Sequence, residues 1–243
     1  MNRLFVPKIL LPFLALMTAH CAPPTSARAK EVARRVTPTL TKALAAKDLK
    51  FGAPVYMRIF KETKELELWV QHASGPYRLF KTYAIATYSG SLGPKLKEGD
   101  GQAPEGFYFV PPKMMNPNSS YHLSFNLGYP NTYDRAHDRT GSFLMVHGSF
   151  VSIGCFAVTD PRIEEIYTLA DAALRNGQPL FRVHCFPFRM TKERLAKLTQ
   201  PEEKWRSFWQ NLKEGYDHFE KTKSPPNVTV KDKRYHFSPL KTN

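Results

Sequence analysis

The chain of 243 residues contains only three cysteines and a single long apolar run, which lies at its N-terminus. Three cysteines are too few for a secreted protein held together by a disulfide framework. One terminal apolar run excludes a protein that crosses the membrane several times. Acidic residues are also scarce, with 21 Asp and Glu against 35 Lys and Arg, which gives a net charge of +14. The hydrophobic share of 42% is nevertheless enough for a packed core, which excludes a disordered chain.

The first 29 residues have the pattern of an export signal. Basic residues precede a short apolar run at 9–17, which cannot span a bilayer, and Ala27-Arg28-Ala29 offers a cleavage site. A lipid anchor on Cys21 and an uncleaved segment are the alternatives. We therefore predict an exported protein that meets the membrane only through this segment. Its basic surface suits an anionic cell-wall polymer, and export argues against nucleic acid as a partner.

Alternating apolar and polar residues predict a β-rich body with helices on either side. Strands are expected over residues 55–61, 66–70, 79–86, 107–110, 121–126, 143–147 and 181–186. Helices are expected over residues 37–48, 161–175 and 202–221. The aromatic stripe of the last helix is expected to pack in the core, with a partner-binding face as the alternative. The fold class is therefore predicted as α+β, with an irregular basic tail after residue 221.

The residue types needed for nucleophilic catalysis are concentrated in residues 145–156. His147 and Cys155 stand eight residues apart there, each beside a glycine. A thiol that attacks an amide carbonyl needs a neighbouring base and backbone N–H groups that hold the oxyanion. His147 can supply the first, and Gly154 leaves the backbone beside Cys155 uncovered for the second. On spacing alone, the alternative is a buried structural cysteine beside an unrelated histidine.

This segment resembles the signature of YkuD-type L,D-transpeptidases, and more closely that of the YafK/ErfK branch of the superfamily. The stretches that carry the resemblance are SGSLGPKLKEGDGQAPEGFY (89–108), NPNSSYHLSFNLGYPNTYDR (116–135), RTGSFLMVHG (139–148) and SIGCFAVTD (152–160). The resemblance implies a β-rich YkuD-like catalytic domain with flanking helices, in the periplasm or cell envelope of a bacterium. The predicted segments are a signal peptide (1–29), an N-terminal helix and linker (30–50), the catalytic domain (51–190), a C-terminal helical extension (191–221) and a basic tail (222–243).

The resemblance also implies roles for individual residues. Cys155 matches the nucleophile, and His147 matches the histidine that activates it. Gly148 matches the position whose backbone carbonyl orients the imidazole, and Gly154 matches part of the oxyanion hole. Because His147 would favour the thiolate, the pKa of Cys155 is expected to be lowered, with alkylation well below pH 8.

Five further residues are candidates for binding the substrate. Arg139, Arg135 and Lys95 could each bind a carboxylate, with exposed charge or a loop-pinning salt bridge as the alternative. Tyr121 and His122 could line the groove, or could divide between core and solvent as alternating strand residues.

Cys185 lies in an apolar predicted strand, where a buried free thiol is expected. One alternative is a disulfide with Cys155, which would abolish the nucleophile. The other is a metal site formed by His184, Cys185 and His147.

The resemblance implies an L,D-transpeptidase that acts on peptidoglycan stem peptides through a thioester on Cys155, without cofactor or metal. Two alternatives remain open. An amidase would resolve the same thioester with water and would cut diaminopimelate-linked bonds in cross-links or in a covalently attached lipoprotein. A non-catalytic protein would only bind the cell wall.

Two positions depart from the broader superfamily, since Ile153 stands where a second histidine is usual and Ala157 stands near a usual arginine.

Overall fold

The computed structural model describes residues 22–240, which form helices around two sheets and a hairpin. The helices in this range are α1 Ala27–Ala45, α2 Thr132–Ala136, α3 Asp160–Arg175, α4 Lys192–Ala196, α5 Gln200–Glu203 and α6 Arg206–Thr222. The strands are β1 Val55–Phe60, β2 Glu65–Gln71, β3 Tyr77–Ala84, β4 Thr87–Tyr88, β5 Gly106–Val110, β6 Met115–Asn116, β7 Ser124–Asn126, β8 Met145–His147, β9 Phe156–Ala157, β10 Phe181–Phe186, β11 Asn227–Lys231 and β12 Arg234–Ser238.

The two five-stranded sheets are mixed in strand direction. The first has the order β3-β2-β1-β10-β5, and the second has the order β4-β9-β8-β7-β6. The pairs β1–β10 and β8–β9 are parallel, and the other pairs are antiparallel. Helices and sheets together confirm the predicted α+β class.

In the described part of the chain, three apolar clusters hold these layers together. The largest joins buried residues of both sheets to the apolar faces of α1 and α3. The other two are rich in aromatic rings and lie under α6, which buries Phe208, Trp209 and Leu212 in one and Phe219 in the other. The aromatic stripe of the last helix therefore packs in the core, as predicted, because burying these large rings removes extensive apolar surface from water.

The N-terminal helix begins ten residues earlier than its pattern predicts. Ser26 caps it by accepting a hydrogen bond from the backbone N–H of Ala29 at 3.1 Å. Pro38, expected in the first turn, lies inside the helix instead. Val32 and Leu40 of α1 are buried against the core shared with α3. This packing outweighs the hydrogen bond that the proline cannot donate.

The tail differs from the predicted irregular segment, because β11 and β12 pair as an antiparallel hairpin. Tyr235 of this hairpin is buried and stacks on Tyr133 of α2, with ring centroids 4.2 Å apart. The prediction was wrong because the stabilising contacts come from distant parts of the chain. Within residues 22–240, no helix has the length and apolar character needed to cross a membrane, and the apolar run at residues 9–17 lies outside the described residues.

Candidate active site

His147 and Cys155 lie at the ends of neighbouring strands in the middle of the second sheet. His147 ends β8, and Cys155 directly precedes β9, whose Ala157 pairs with His147 in a parallel register. Cys155 itself lies outside the strand, two residues before Ala157, and its Sγ lies 3.4 Å from the backbone N of Met145 at the start of β8. The register of β8 and β9 thus brings the thiol beside the strand that ends in His147.

The imidazole of His147 is buried and held by its own neighbour. Its Nδ1 lies 2.6 Å from the backbone carbonyl oxygen of Gly148. A carbonyl oxygen can only accept, so Nδ1 carries the proton and Nε2 is left as the basic nitrogen. Burial lowers the pKa of His147 below its ordinary value, against the opposing effect of the Gly148 carbonyl. The imidazole is therefore a neutral base near pH 7.

Gly148 has no room for a side chain. A Cβ at this position would lie 2.4 Å from Oδ1 of Asp160 and 2.8 Å from the carbonyl oxygen of Tyr121. The same Asp160 oxygen accepts a hydrogen bond from the backbone N–H of Ser149 at 2.7 Å. The N-terminus of α3 thus holds the turn whose carbonyl orients His147. No pattern in the sequence indicated this role of Asp160.

Cys155 is a partly exposed free thiol. Its Sγ accepts a hydrogen bond from the backbone N–H of Met145 at 3.4 Å and donates one to the carbonyl oxygen of Phe143 at 3.6 Å. Burial raises the pKa of Cys155, against the opposing effects of the Met145 N–H and the positive charge of Lys95. The expected lowering of this pKa is therefore wrong. A neutral imidazole supplies no positive charge, so the resting site holds a thiol.

The loop before Cys155 has a conformation that requires glycine. Gly154 has φ +98°, in the left-handed region that other residues rarely adopt. Ser152 in the same loop donates from Oγ to the carbonyl oxygen of Cys155 at 2.7 Å. Its own carbonyl oxygen accepts a hydrogen bond from Oγ of Ser89 at 2.8 Å. The sequence pattern did not indicate that these two serines support the loop of the candidate nucleophile, Cys155.

A buried ion pair supports the other side of this loop. Nζ of Lys61 lies 3.0 Å from Glu105, and both side chains are fully buried. The ammonium also donates to the carbonyl oxygens of Gly93 and Ala103. These contacts fasten both ends of the segment 93–105. The carbonyl oxygen of Gln102 in this segment would lie 3.6 Å from a Cβ on Gly154. The segment 93–105 is therefore a fixed turn that approaches the loop before Cys155.

Tyr121 lies against the histidine, whereas His122 does not. The ring of Tyr121 is 46% exposed and packs on the ring of His147, with centroids 4.7 Å apart and an interplanar angle of 32°. The side chain of His122 turns to α3, where Nε2 lies 2.9 Å from Glu164. Neither residue lies in a strand, because β7 begins at Ser124. Only Tyr121 thus contacts the candidate catalytic pair.

The predicted carboxylate ligands are placed differently from the expectation. Arg139 is buried and pairs with Asp134 at 2.9 Å, so it corresponds to the loop-pinning alternative and has no access to substrate. Arg135 donates to the carbonyl oxygen of Pro130 and lines a cavity of about 220 Å³ beside the β11–β12 hairpin. Lys95 is buried and pairs with Asp100 at 2.6 Å.

Of these three cations, Lys95 is the one whose charge acts on the pKa of Cys155. Its ammonium is already bonded to Asp100, and it therefore influences the thiol as a nearby charge. The structure brings together Cys155, His147, Gly148, Gly154, Tyr121 and Lys95. It assigns His122, Arg135 and Arg139 to other contacts.

The alternatives for Cys185 are not realised. Both described cysteines are free, and Cys185 is fully buried in β10, where burial strongly raises its pKa. The neighbouring His184 is also buried, with Nδ1 2.7 Å from the hydroxyl of Tyr56. Among residues 22–240, no group of three or more His, Cys, Asp or Glu side chains is placed to hold a metal ion.

Comparison with known proteins identifies the family. The chain is 46% identical over 184 residues to the protein named "Putative L,D-transpeptidase YafK" in two strains of Escherichia coli, K12 and O157:H7. The alignment covers 76% of this chain and 74% of the relative. The chain belongs to the YafK-like branch of the L,D-transpeptidase family. No family model matches it.

Two solved structures resemble this L,D-transpeptidase family member at lower identity. The helical cell shape determining protein Pgp2 of Campylobacter jejuni is 18% identical, with a TM-score of 0.44, over 79% of this chain and 80% of its own. The protein Bd1075 of Bdellovibrio bacteriovorus is 20% identical, with a TM-score of 0.40, over 69% of this chain and 58% of its own.

The two departures from the broader L,D-transpeptidase superfamily have different surroundings. Ile153 is 89% exposed in the loop before Cys155. Ala157 is fully buried in β9 and pairs with His147. Neither position offers a polar group to a substrate. Exposed apolar side chains instead occur at Phe143, whose carbonyl oxygen accepts a hydrogen bond from Sγ of Cys155, and in the loop before Cys155 at Phe150, Val151 and Ile153.

Proposed function

We propose that this chain is an exported, cysteine-dependent L,D-transpeptidase that acts on peptidoglycan stem peptides. One observation carries the proposal. In a chain of this family, the thiol of Cys155 lies against the start of the strand that ends in His147, and His147 has its Nδ1 bonded to the carbonyl oxygen of Gly148. That bond leaves Nε2 available as a base for the thiol.

The first half-reaction forms an acyl-enzyme. The sulfur of Cys155 bonds to the carbonyl carbon at the L-centre of a diaminopimelate residue, while its proton passes to Nε2 of His147. The carbonyl oxygen receives the electron pair and is stabilised by the backbone N–H groups at Gly154 and Cys155. The carbon–nitrogen bond to the leaving D-Ala then breaks, and the departing amine takes the proton from His147. A thioester on Cys155 remains.

The second half-reaction transfers the acyl group. An amine of another stem peptide attacks the thioester carbonyl and gives its proton to His147. The carbon–sulfur bond breaks, and the sulfur of Cys155 takes that proton back. A new amide is formed, and the site returns to a neutral thiol and a neutral imidazole. These are the forms favoured by the raised pKa of Cys155 and the lowered pKa of His147.

The amidase is the second candidate, and the surroundings of Cys155 are the observation that favours it. Water would resolve the same thioester and release a diaminopimelate-linked group. Ile153 and Ala157 lack the polar groups usual in the superfamily. Phe143, which contacts Cys155, and Phe150 of the loop before Cys155 are each 71% exposed. An exposed apolar rim is typical of a surface that meets another protein. Such a rim suits a lipoprotein bound to diaminopimelate better than a bare glycan strand.

Product analysis separates these candidates. Protein beginning at residue 22, with α1 intact, would be incubated with diaminopimelate-containing tetrapeptide muropeptides and, separately, with lipoprotein-bearing sacculi. Wild type, Cys155→Ala and the control Cys185→Ala would be compared by mass spectrometry. Cys185 is a suitable control because its free thiol is buried away from the site.

Each pattern of products decides between the candidate functions. Cross-linked dimers with released D-Ala, absent only in Cys155→Ala, would establish the transpeptidase. Tripeptides or freed lipoprotein without new cross-links would establish the amidase. Equal product from wild type and Cys155→Ala would refute both. If Cys155→Ala also replaced the wild-type protein fully in cells, a non-catalytic role in binding the cell wall would take their place.

A further inference from the structure

The N-terminal helix contacts the loop that lies against the catalytic histidine. Arg28, in the first turn of α1, donates two hydrogen bonds across 91 and 94 residues of sequence. Its guanidinium reaches the carbonyl oxygen of Ser119 at 2.9 Å and that of His122 at 2.6 Å. These two carbonyls lie on either side of Tyr121. The arginine therefore fastens both ends of the short segment that carries the tyrosine.

This segment also contacts the ring of His147 and Gly148, the residue whose carbonyl oxygen orients that ring. The ring of Tyr121 packs on the ring of His147, and the carbonyl oxygen of Tyr121 approaches Gly148, where a Cβ would lie only 2.8 Å away. His122 has φ +70°, an unfavourable backbone conformation for a residue with a side chain. A hydrogen bond to its carbonyl helps to hold that conformation.

A second set of contacts braces the same segment from α1 and α3. Oγ of Ser26 donates to the carbonyl oxygen of Pro117 at 2.9 Å. Arg35 of α1 pairs with Glu164 of α3 at 2.6 Å, and Glu164 also accepts the contact from His122. The segment 117–122 is thus held by α1 at its beginning and at its end.

We propose that Arg28 is a positioning residue, which keeps Tyr121 against His147 through the backbone of segment 117–122. The inference rests on the proposed function, in which His147 is the base. It also bears on export. Cleavage after Ala29, the predicted site, would remove both Ser26 and Arg28, so the proposal instead requires an active chain that keeps both residues.

The hydrogen bonds from Arg28 to segment 117–122 keep His147 packed and shielded from water. Loss of Arg28 frees the segment, exposes the imidazole and misplaces it relative to Cys155. Shielding is what lowers the pKa of His147, so exposure returns that pKa toward its ordinary value. The other titratable groups around this imidazole and its support are Tyr121, Cys155, Asp160, His122 and Glu164.

The test compares Arg28→Ala with Arg34→Ala, in protein beginning at residue 22. Arg34 is a matched control, since it is exposed on the same helix and its guanidinium pairs with Glu31. The pKa of His147 would be measured by NMR titration, with His147→Ala identifying its signal. kcat and KM on the muropeptide substrate and the melting temperature would be measured in parallel.

Arg28→Ala is expected to raise the pKa of His147 and to lower kcat about tenfold, with KM and the melting temperature nearly unchanged. Arg28→Lys restores one donor and should lie between wild type and Arg28→Ala. Tyr121→Ala, a truncation of a half-exposed ring, should raise the same pKa even if Arg28→Ala folds poorly. The N-terminus of protein purified from cells, read by mass spectrometry, should lie at or before residue 26.

The inference would be overturned if Arg28→Ala and Tyr121→Ala both had the same kcat and the same pKa of His147 as Arg34→Ala. Full activity in a cellular protein that begins at Lys30 would overturn it as well. The NMR titration needs no substrate, so it tests the positioning role of Arg28 even if the proposed reaction is wrong. Failure of the proposed function would show instead as substrate turnover by Cys155→Ala.

Discussion

Replacing Gly148 by alanine tests whether the backbone of residue 148 sets the position of the proposed catalytic histidine, His147. The new Cβ would lie 2.4 Å from Oδ1 of Asp160 and 2.8 Å from the carbonyl oxygen of Tyr121. Heavy atoms in favourable contact are about 3.5 Å apart. The backbone that carries the 2.6 Å bond to His147 must therefore move by about 1 Å.

A displacement of this size at a catalytic group costs about a hundredfold in rate, or about 2.7 kcal/mol of transition-state free energy. The assay is kcat for D-Ala release from a tetrapeptide muropeptide, with urea unfolding as the check on folding. Gly177→Ala is the control for backbone strain without a clash, because its φ of +99° disfavours alanine while a Cβ there meets nothing within 4 Å. A folded Gly148→Ala protein with kcat within threefold of wild type would refute the reasoning.

Three further predictions concern the base, the thiol and the buried ion pair. His147→Ala should lower kcat at least about a hundredfold through loss of general acid–base catalysis, and near-normal turnover would contradict its role. Because the pKa of Cys155 is raised, its alkylation by iodoacetamide should keep accelerating above pH 9, and a plateau below pH 8 would contradict this. Lys61→Met leaves the carboxylate of Glu105 buried and unpaired, so urea unfolding should show a loss of about 3–5 kcal/mol. A loss below about 1 kcal/mol would show that the pair does not hold the loop.

Strands β1 and β10 and the candidate catalytic pair could be predicted because their signals are local. Alternation of apolar and polar residues placed β1 within one residue, and the strand at residues 181–186 matches β10. The spacing of His147 and Cys155, with a glycine beside each, indicated one site without any knowledge of the geometry. Such patterns depend only on which residues face the core.

The remaining features depend on contacts that the sequence does not show. Arg139 could bind a substrate or a carboxylate of its own chain, and only the fold places Asp134 beside it in a buried position. The first half of α1 is stabilised by its packing with α3, which no local pattern reports. The raised pKa of Cys155 depends on burial, which the motif alone leaves open.

The central claim is that the reaction passes through a thioester on Cys155, whichever acceptor resolves it. The most direct measurement is the intact mass of the protein after brief incubation with a tetrapeptide muropeptide and an acid quench, followed by peptide mapping. We predict an added mass equal to the muropeptide less D-Ala, located on the peptide that contains Cys155, removed by hydroxylamine and absent in Cys155→Ala. Product formation by Cys155→Ala, or an adduct on another residue, would contradict the account.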